Sequence, residues 1–406
     1  MKMTENLVLS AENVWKQTYP IRSASVPLDN LVMQKTPYGT VYIGLNHAGF
    51  PEDRREGFIL WTNQYGNSEI MFITEDSYID NLWLAPNSEL FFITRRSHSL
   101  RFGQRNDLTL YCSTLMPWKE KYVISMNQFV DENYFDCKAY SFTMDKSGNC
   151  FFVFKASIYH DYRTKTIDSF SVFCLSPEGE VVWVSAWSEQ LLDDQSNVLR
   201  VLPDGRVAVW LKRGVLVLAT DGTPVMQHYL KGNKHLSRKM RQQDESSFIS
   251  AEGNELYLYS LDFNKRWQIA LPGDILRDAL IVYANDSFCV ANAAQYCIVK
   301  RHDGSCTVRP TPGFSDHECI WLDDRYIAYA KINRDETDIY LWDYISEHGT
   351  RITVQYFVED IIRSGDILYI MTANEKRIRS SKFTPDAYTY ITAYRLWLQD
   401  PAKARS

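Results

Sequence analysis

The sequence predicts an all-β chain built from one repeated unit, and three observations predict it. The first is a four-strand phrase that recurs about eight times, most clearly in VLRVLPDGRVAVWLKRGVLVLATDGTPVMQHYL from Val198 to Leu230. That copy reads strand, Pro-Asp-Gly turn, strand, Arg-Gly turn, strand, Asp-Gly turn, strand. The second is composition: 14% of the residues are aromatic, and such side chains pack well on a pleated surface. The third is the scarcity of helical periodicity, which is confined to one or two turns near the N-terminus and after Ser188. Four short antiparallel strands make a sheet that cannot bury both faces alone. Recurrence of that sheet around a ring gives a β-propeller, here expected to have eight blades, with seven as the alternative.

The single propeller domain is expected to span 1–406, with blades at 30–74, 80–125, 137–187, 197–230, 238–271, 278–311, 317–357 and 358–398. The first turns carry Pro37-Tyr38-Gly39, Pro86-Asn87, Lys146-Ser147-Gly148, Pro203-Asp204-Gly205, Asn285-Asp286, Asp323-Asp324 and Ser364-Gly365. These residues supply the positive or preset φ that tight hairpins need. Turns between third and fourth strands repeat the chemistry at Pro177-Glu178-Gly179, Asp221-Gly222 and Asp303-Gly304. The last unit shows three strands, without an outer one, before the chain ends in QDPAKARS. An extended N-terminal stretch at 14–22 is left over. It is predicted to supply the missing strand and close the ring, because an open ring would leave two bare sheet edges.

Two stretches resemble known propeller repeats. Asp338 to Asp343, DIYLWD, resembles the third strand of a WD-repeat blade ending in Trp-Asp. Ser176 to Trp183, SPEGEVVW, resembles the closing strand of quinoprotein-like blades, in which a glycine precedes a tryptophan by four positions. The WD-repeat His and Gly-His signatures are absent. The resemblance implies the propeller architecture and transfers no cofactor or site residue.

In a four-stranded meander the first and third turns lie on one face of the ring. The second turn and the crossing to the next blade lie on the other. Long second loops occur in unit one (NHAGFPEDRREG), unit two (RRSHSLRFGQRND), unit three (SIYHDYRTKTID) and unit eight (NEKRIRSSKFTPDAY). Long crossings join them, so one face is elaborated and the other trimmed. Long loops on a rigid scaffold are where binding usually resides. Acidic crossings hold Glu75, Asp76 and Asp80, then Asp131, Glu132 and Asp136, then Glu189, Asp193 and Asp194. Basic residues face them, so a bipolar surface suited to orienting a protein partner is expected. The candidate contact residues are Phe50, Arg54, Arg55, Arg95, Arg96, Arg101, Phe102, Arg105, Tyr159, His160, Tyr162, Arg163, Lys234, Arg238, Arg241, Arg377 and Arg379. Phe129, Tyr134 and Phe135 are further aromatic anchors on the same side.

Catalytic readings are weaker. The chain has no G-x-S-x-G elbow, H-E-x-x-H pair, phosphate-binding loop or dinucleotide-binding glycine pattern. His47, His98 and His160 fall in corresponding loops and form the sharpest enzyme hypothesis. Asp323-Asp324 sits in a hairpin turn, where a structural role is expected. The eight cysteines form no Cys-x-x-Cys pair and read as buried free thiols. A metal at Cys289, Cys297 and Cys306 with His302 and His317 would need ligands converging from different sheet faces. No metal and no cofactor are therefore assigned. A formal net charge of −6 argues against nucleic acid, despite the basic run from Lys231 to Arg241. The N-terminus holds Glu5 and Glu12 and no long apolar run, so neither a signal peptide nor a membrane span is expected and the cytoplasm is the default.

The expected function is a non-catalytic protein-binding module, in one concrete form a stand-alone inhibitor or immunity-type protein covering a toxin or enzyme. The alternatives are an enzyme or small-ligand binder using the central channel, and an assembly scaffold with several partners.

Overall fold

The structure is a computed structural model, which describes residues 8–20, 33–35, 41–48, 55–100, 103–115, 117–129, 134–159, 166–187, 198–211, 214–229, 247–260, 262–273, 275–276, 279–284, 286–311, 318–373 and 388–399. Among them the only helix is a 3-10 turn, Met126–Phe129. All other regular elements are strands.

The chain begins with β1 (Val8–Pro20). The first sheet then follows as β2 (Met33–Lys35), β3 (Val41–Ala48), β4 (Arg55–Thr62) and β5 (Ser68–Glu75). The second is β6 (Tyr78–Leu84), β7 (Glu89–Leu100), β8 (Gly103–Leu115) and β9 (Trp118–Ser125). The third is β10 (Tyr134–Met144), β11 (Cys150–Tyr159), β12 (Thr166–Leu175) and β13 (Val181–Trp187). The fourth is β14 (Leu199–Val201), β15 (Val207–Leu211), β16 (Gly214–Leu218) and β17 (Pro224–Tyr229). The fifth shows β18 (Ser247–Glu252), β19 (Glu255–Ser260) and β20 (Lys265–Ala270). The sixth is β21 (Leu280–Ala284), β22 (Ser287–Ala291), β23 (Gln295–Lys300) and β24 (Cys306–Pro310). The seventh is β25 (Glu318–Leu322), β26 (Tyr326–Asn333), β27 (Glu336–Asp343) and β28 (His348–Gln355). The eighth is β29 (Phe357–Ser364), β30 (Ile367–Ala373) and β31 (Tyr388–Gln399), with β1 paired antiparallel to β31 from Val8↔Gln399 to Pro20↔Tyr388.

Every sheet is an antiparallel meander whose strands pair in chain order, β1 alone excepted. The fifth sheet's three described strands are its second to fourth. Leu271 donates its N–H to the Asn254 carbonyl just as Thr311 of the sixth sheet donates to Ala294, which aligns the two second turns. The inner strand expected in 238–246 lies outside the described residues.

Successive sheets bury one another. Tyr42 and Ile59 of the first pack with Leu82 and Phe92 of the second. Phe91 and Cys112 of the second pack with Cys137 and Phe152 of the third. Val207 and Leu216 of the fourth lie between Val153 of the third and Tyr257 of the fifth. The fifth meets the sixth through Leu256 and Phe288, and the sixth meets the seventh through Tyr296 and Tyr329. Leu341 of the seventh packs with Leu368 of the eighth, and Tyr369 and Ile391 of the eighth pack with Val41 and Ile43 of the first. This is propeller packing. It explains the strand patterns: β15 and β16 are buried at every position, being covered on both faces, whereas the outer strands β13 and β28 alternate.

One device recurs between neighbouring sheets. An aromatic residue on an outer strand lies flat against the glycine of the next sheet's third turn. The pairs are Tyr122 on Gly179, Trp183 on Gly222, Trp267 on Gly304 and Trp15 on Gly66. The three indoles also donate to a carbonyl of that turn: Trp183 to Thr220 at 2.9 Å, Trp267 to Arg301 at 2.6 Å and Trp15 to Gln64 at 3.2 Å. Each of these glycines has positive φ, so it serves the turn and the aromatic face together. Trp183 is the tryptophan of the SPEGEVVW stretch.

Three expectations need correction. The helical turns expected near the N-terminus are strand, and β1 starts at Val8 rather than 14. A bulge between Asn13 and Trp15 breaks its two-residue alternation, which disguised it. Much of the long second loops of units one to three is also strand: β3–β4, β7–β8 and β11–β12 stay paired far into them. Finally, Asp80 and Asp136 belong to inner strands β6 and β10 rather than to crossings.

Candidate partner-binding face

The elaborated side is built from those three hairpins. In the second sheet β7 and β8 remain in register to Leu100↔Gly103. The inner strand β6 stops pairing at Tyr78↔Arg95, and the outer strand β9 stops at Thr109↔Ser125. Residues Arg96 to Leu100 thus project past both flanking strands, by roughly 17 Å at the usual rise per residue. In the first sheet β3–β4 pairs to Ala48↔Arg55, with the outer strand β5 alongside to Glu56↔Glu75. In the third, β11–β12 pairs to Tyr159↔Thr166, with the inner strand β10 alongside to Tyr134↔Ile158. By contrast, the corresponding hairpins of the fourth, fifth and seventh sheets turn tightly at Leu211↔Gly214, Glu252↔Glu255 and Asn333↔Glu336.

The root of the β7–β8 hairpin is braced by charge and hydrogen bonds. Arg95 Nε lies 3.3 Å from Asp80 Oδ1, and both side chains are largely buried. Arg96 NH2 lies 3.8 Å from Asp76 Oδ2 at an exposed position. His98 Nε2 lies 2.9 Å from Asp107 Oδ2, and the Tyr134 hydroxyl donates to Asp107 Oδ1 at 2.8 Å. Ser97 donates to Asn106 at 2.7 Å, and the Leu108 N–H donates to Asn127 Oδ1 at 2.9 Å. The hairpin therefore leaves the sheet with a fixed direction.

These contacts revise the candidate residues. Arg95 is a structural partner of Asp80, and Arg96 faces Asp76, so the two signs of charge neutralise each other here instead of forming separate poles. Tyr134 is buried with its hydroxyl on Asp107, and Phe129 packs on Phe173 with ring centres 5.1 Å apart. Tyr134 is thus a core aromatic rather than an interface anchor, and Phe129 is half-buried at the margin of the same core. Arg55, Arg105 and Tyr159 occupy the extended second hairpins at registers Ala48, His98 and Thr166. Phe50, Arg54, Arg101, Phe102, His160, Tyr162, Arg163, Lys234, Arg238, Arg241, Arg377 and Arg379 lie outside the described residues. Asp107 and Asn127, which set the hairpin's pose, carry no sequence signal, each being an isolated polar residue beside a turn.

The catalytic readings fare differently. Asp323 is fixed in its turn: its Oδ1 accepts from the Arg325 and Tyr326 N–H groups, and Arg363 binds its Oδ2. Arg363 also donates to Asp324 at 2.6 Å and to the Gly365 carbonyl at 2.8 Å. Burial pushes the Asp323 carboxyl above the ordinary range, and Arg363 opposes it. The pair ties the seventh sheet to the eighth. Asp343, the closing acid of DIYLWD, is fully buried and caps the next turn through the N–H groups of Ile345 and Ser346, while Arg325 binds its other oxygen at 2.9 Å. Cys112 and Cys174 have thiols pushed up to about 12 by burial, and Cys150, Cys289 and Cys297 are also raised, which suppresses thiolate chemistry. No group of three metal-ligating side chains exists among the described residues.

No protein-family model matches the chain, and no curated protein does. Solved structures with similar overall form include the WD40 domain of SCAP from fission yeast, at 12% identity and TM-score 0.46, over 93% of this chain and 98% of that one. An acylaminoacyl peptidase aligns at 13% identity and TM-score 0.44, over 83% of this chain and 57% of that one. Kluyveromyces lactis Hsv2p aligns at 9% identity and TM-score 0.38, over 80% of this chain and 97% of that one. The propeller assignment rests on the sheets and their packing, described above.

Proposed function

We propose that the protein is a non-catalytic protein-binding module that grips a macromolecular partner with the face bearing the extended second hairpins. The observation that carries this reading is the run of three neighbouring sheets with extended second hairpins, the middle one braced and projecting past both flanking strands, beside sheets whose hairpins turn tightly. Rigid projecting elements lose little entropy on binding, so they suit recognition. One concrete form is an inhibitor or immunity-type protein that covers a toxin or enzyme. The proposed setting is the cytoplasm, a reading supported by eight cysteines that form no disulfide. No helix among the described residues is long and apolar enough to cross a membrane.

The proposed scaffold is an eight-bladed ring closed by β1. Two observations support it: Tyr369 and Ile391 pack against the first sheet, and Trp15 of β1 repeats on Gly66 the contact that Trp183 makes on Gly222. Replacing Trp15 with alanine is expected to cost about 3 kcal/mol, the low end for truncating a large aromatic. Urea unfolding measures the loss, and an unchanged midpoint would detach β1 from the scaffold.

The functional test is affinity capture from native lysate with wild type and a variant carrying Arg101, Arg105, Arg238 and Arg241 reversed to glutamate. A partner bound by wild type and lost by the folded variant supports the reading. Equal capture by both contradicts the assignment of the face.

A further inference from the structure

We propose that β13, the outer strand of the third sheet, is a self-association edge along which two copies of this chain pair strand to strand. The proposal is independent of the projecting hairpins. It starts from how the other outer strands are guarded. A sheet edge invites pairing with another chain unless charge or proline blunts it. β5 carries Glu69 and Glu75, β9 carries Lys119, Glu120 and Lys121, and β20 carries Lys265 and Arg266. β24 carries Arg309 and Pro310, β28 carries Arg351, β1 carries Glu12 and Lys16, and β17 starts with Pro224. β13 reads VVWVSAW, with no charge, no proline and no glycine. It is the one unguarded outer strand among the described residues.

Its exposure fits the same reading. Val182 is 58% exposed and Val184 is 43% exposed, and Ala186 is exposed on the same alternation. Trp183 points the other way, onto Gly222 of the fourth sheet. β13 pairs with β12 on one side and has no strand on the other among the described residues. β-branched residues in a seven-residue uncharged strand form a favourable template for pairing.

Charge selects a second copy as the occupant. In antiparallel pairing about a two-fold axis at Val184, Val184 meets its own equivalent, and Val182 meets Ala186 of the other copy. Such an interface is self-complementary. The nearest acidic residues are Glu178 and Glu180, both exposed in the turn before β13. The two-fold places the two Glu180 residues at opposite ends, roughly 26 Å apart along the strands. Pairing β13 with another outer strand of this chain would instead set lysine, arginine, glutamate or proline against its valines.

The test is light scattering coupled to size exclusion across a wide concentration series, with wild type, Val184→Lys and Val123→Lys. Wild type is expected to pass from monomer to dimer as concentration rises. Val184→Lys places two lysines opposite each other, so its dimer is expected to be roughly ten-fold weaker or more. Val123→Lys, an exposed position on β9, is expected to dimerise as wild type does. Circular dichroism reports that each variant is folded. Amide exchange adds a second readout, with β13 protection growing with wild-type concentration. A wild type that stays monomeric throughout overturns the proposal, as does a folded Val184→Lys with unchanged dimerisation.

Discussion

Replacing Arg363 with methionine is expected to destabilise the protein by about 3 kcal/mol at neutral pH, and by less in acid. The figure is the low end for a broken buried ion pair, since both side chains keep a little water contact. Arg363 ties together two sheets whose contributing residues lie forty positions apart in sequence: it binds Asp323 and Asp324 from the eighth sheet and stacks 5.2 Å from the Tyr326 ring centre. Methionine keeps much of the packing and removes the charge. Asp323 is then left buried with only its turn N–H groups. Burial already raises its carboxyl, with Arg363 opposing; without the guanidinium the carboxyl rises further. Between the unfolded carboxylate value and that raised value, the folded variant binds more protons than the unfolded chain. Its stability therefore falls as pH rises through the window. The deficit relative to wild type is largest at neutral pH and shrinks towards about pH 5 as Asp323 takes up a proton. Urea unfolding of both proteins at the two pH values measures this. A deficit that is equal at both, or larger in acid, contradicts the assigned role of the pair.

Gly222→Ala is the second large effect, with an expected loss of about 2–4 kcal/mol from positive φ and overpacking together. Gly222 has φ +83°, and a Cβ built there would lie 2.5 Å from Trp183 Cε3. The indole cannot retreat without losing its bond to the Thr220 carbonyl at 2.9 Å. Gly253 is the control: its φ is +60° and nothing lies near its absent Cβ. Gly253→Ala is expected to cost about 1 kcal/mol, the backbone share alone. Comparable losses at the two positions would show that the aromatic contact contributes nothing.

Most of the fold is legible in the sequence where burial and turn chemistry act locally. Gly148, Gly179, Gly205, Gly222 and Gly304 all adopt the positive φ that their turns require. The apolar runs of β15, β16 and β22 mark strands covered on both faces. The projecting β7–β8 hairpin is less legible. Arg95–Leu100 and Gly103–Asp107 read as loop because their strand character comes from pairing with each other, without a neighbouring sheet to impose alternation. The Asp80–Arg95 and Asp323–Arg363 pairs are equally hidden, since each partner looks like a solvated charge until the strands are assembled. The Trp183 pattern is visible as a glycine four residues before a tryptophan, yet the glycine it contacts belongs to the next unit.

The proposed protein-binding role belongs to the extended second hairpins. Amide exchange on the captured complex, compared with the free protein, tests it most directly. Slowed exchange concentrated at Arg96–Leu100 and Gly103–Asp107, with matching changes at the ends of β3–β4 and β11–β12, is the expected result. Protection confined to the tight-turn face around Gly179, Gly222 and Gly304, with the hairpins unchanged, would contradict it.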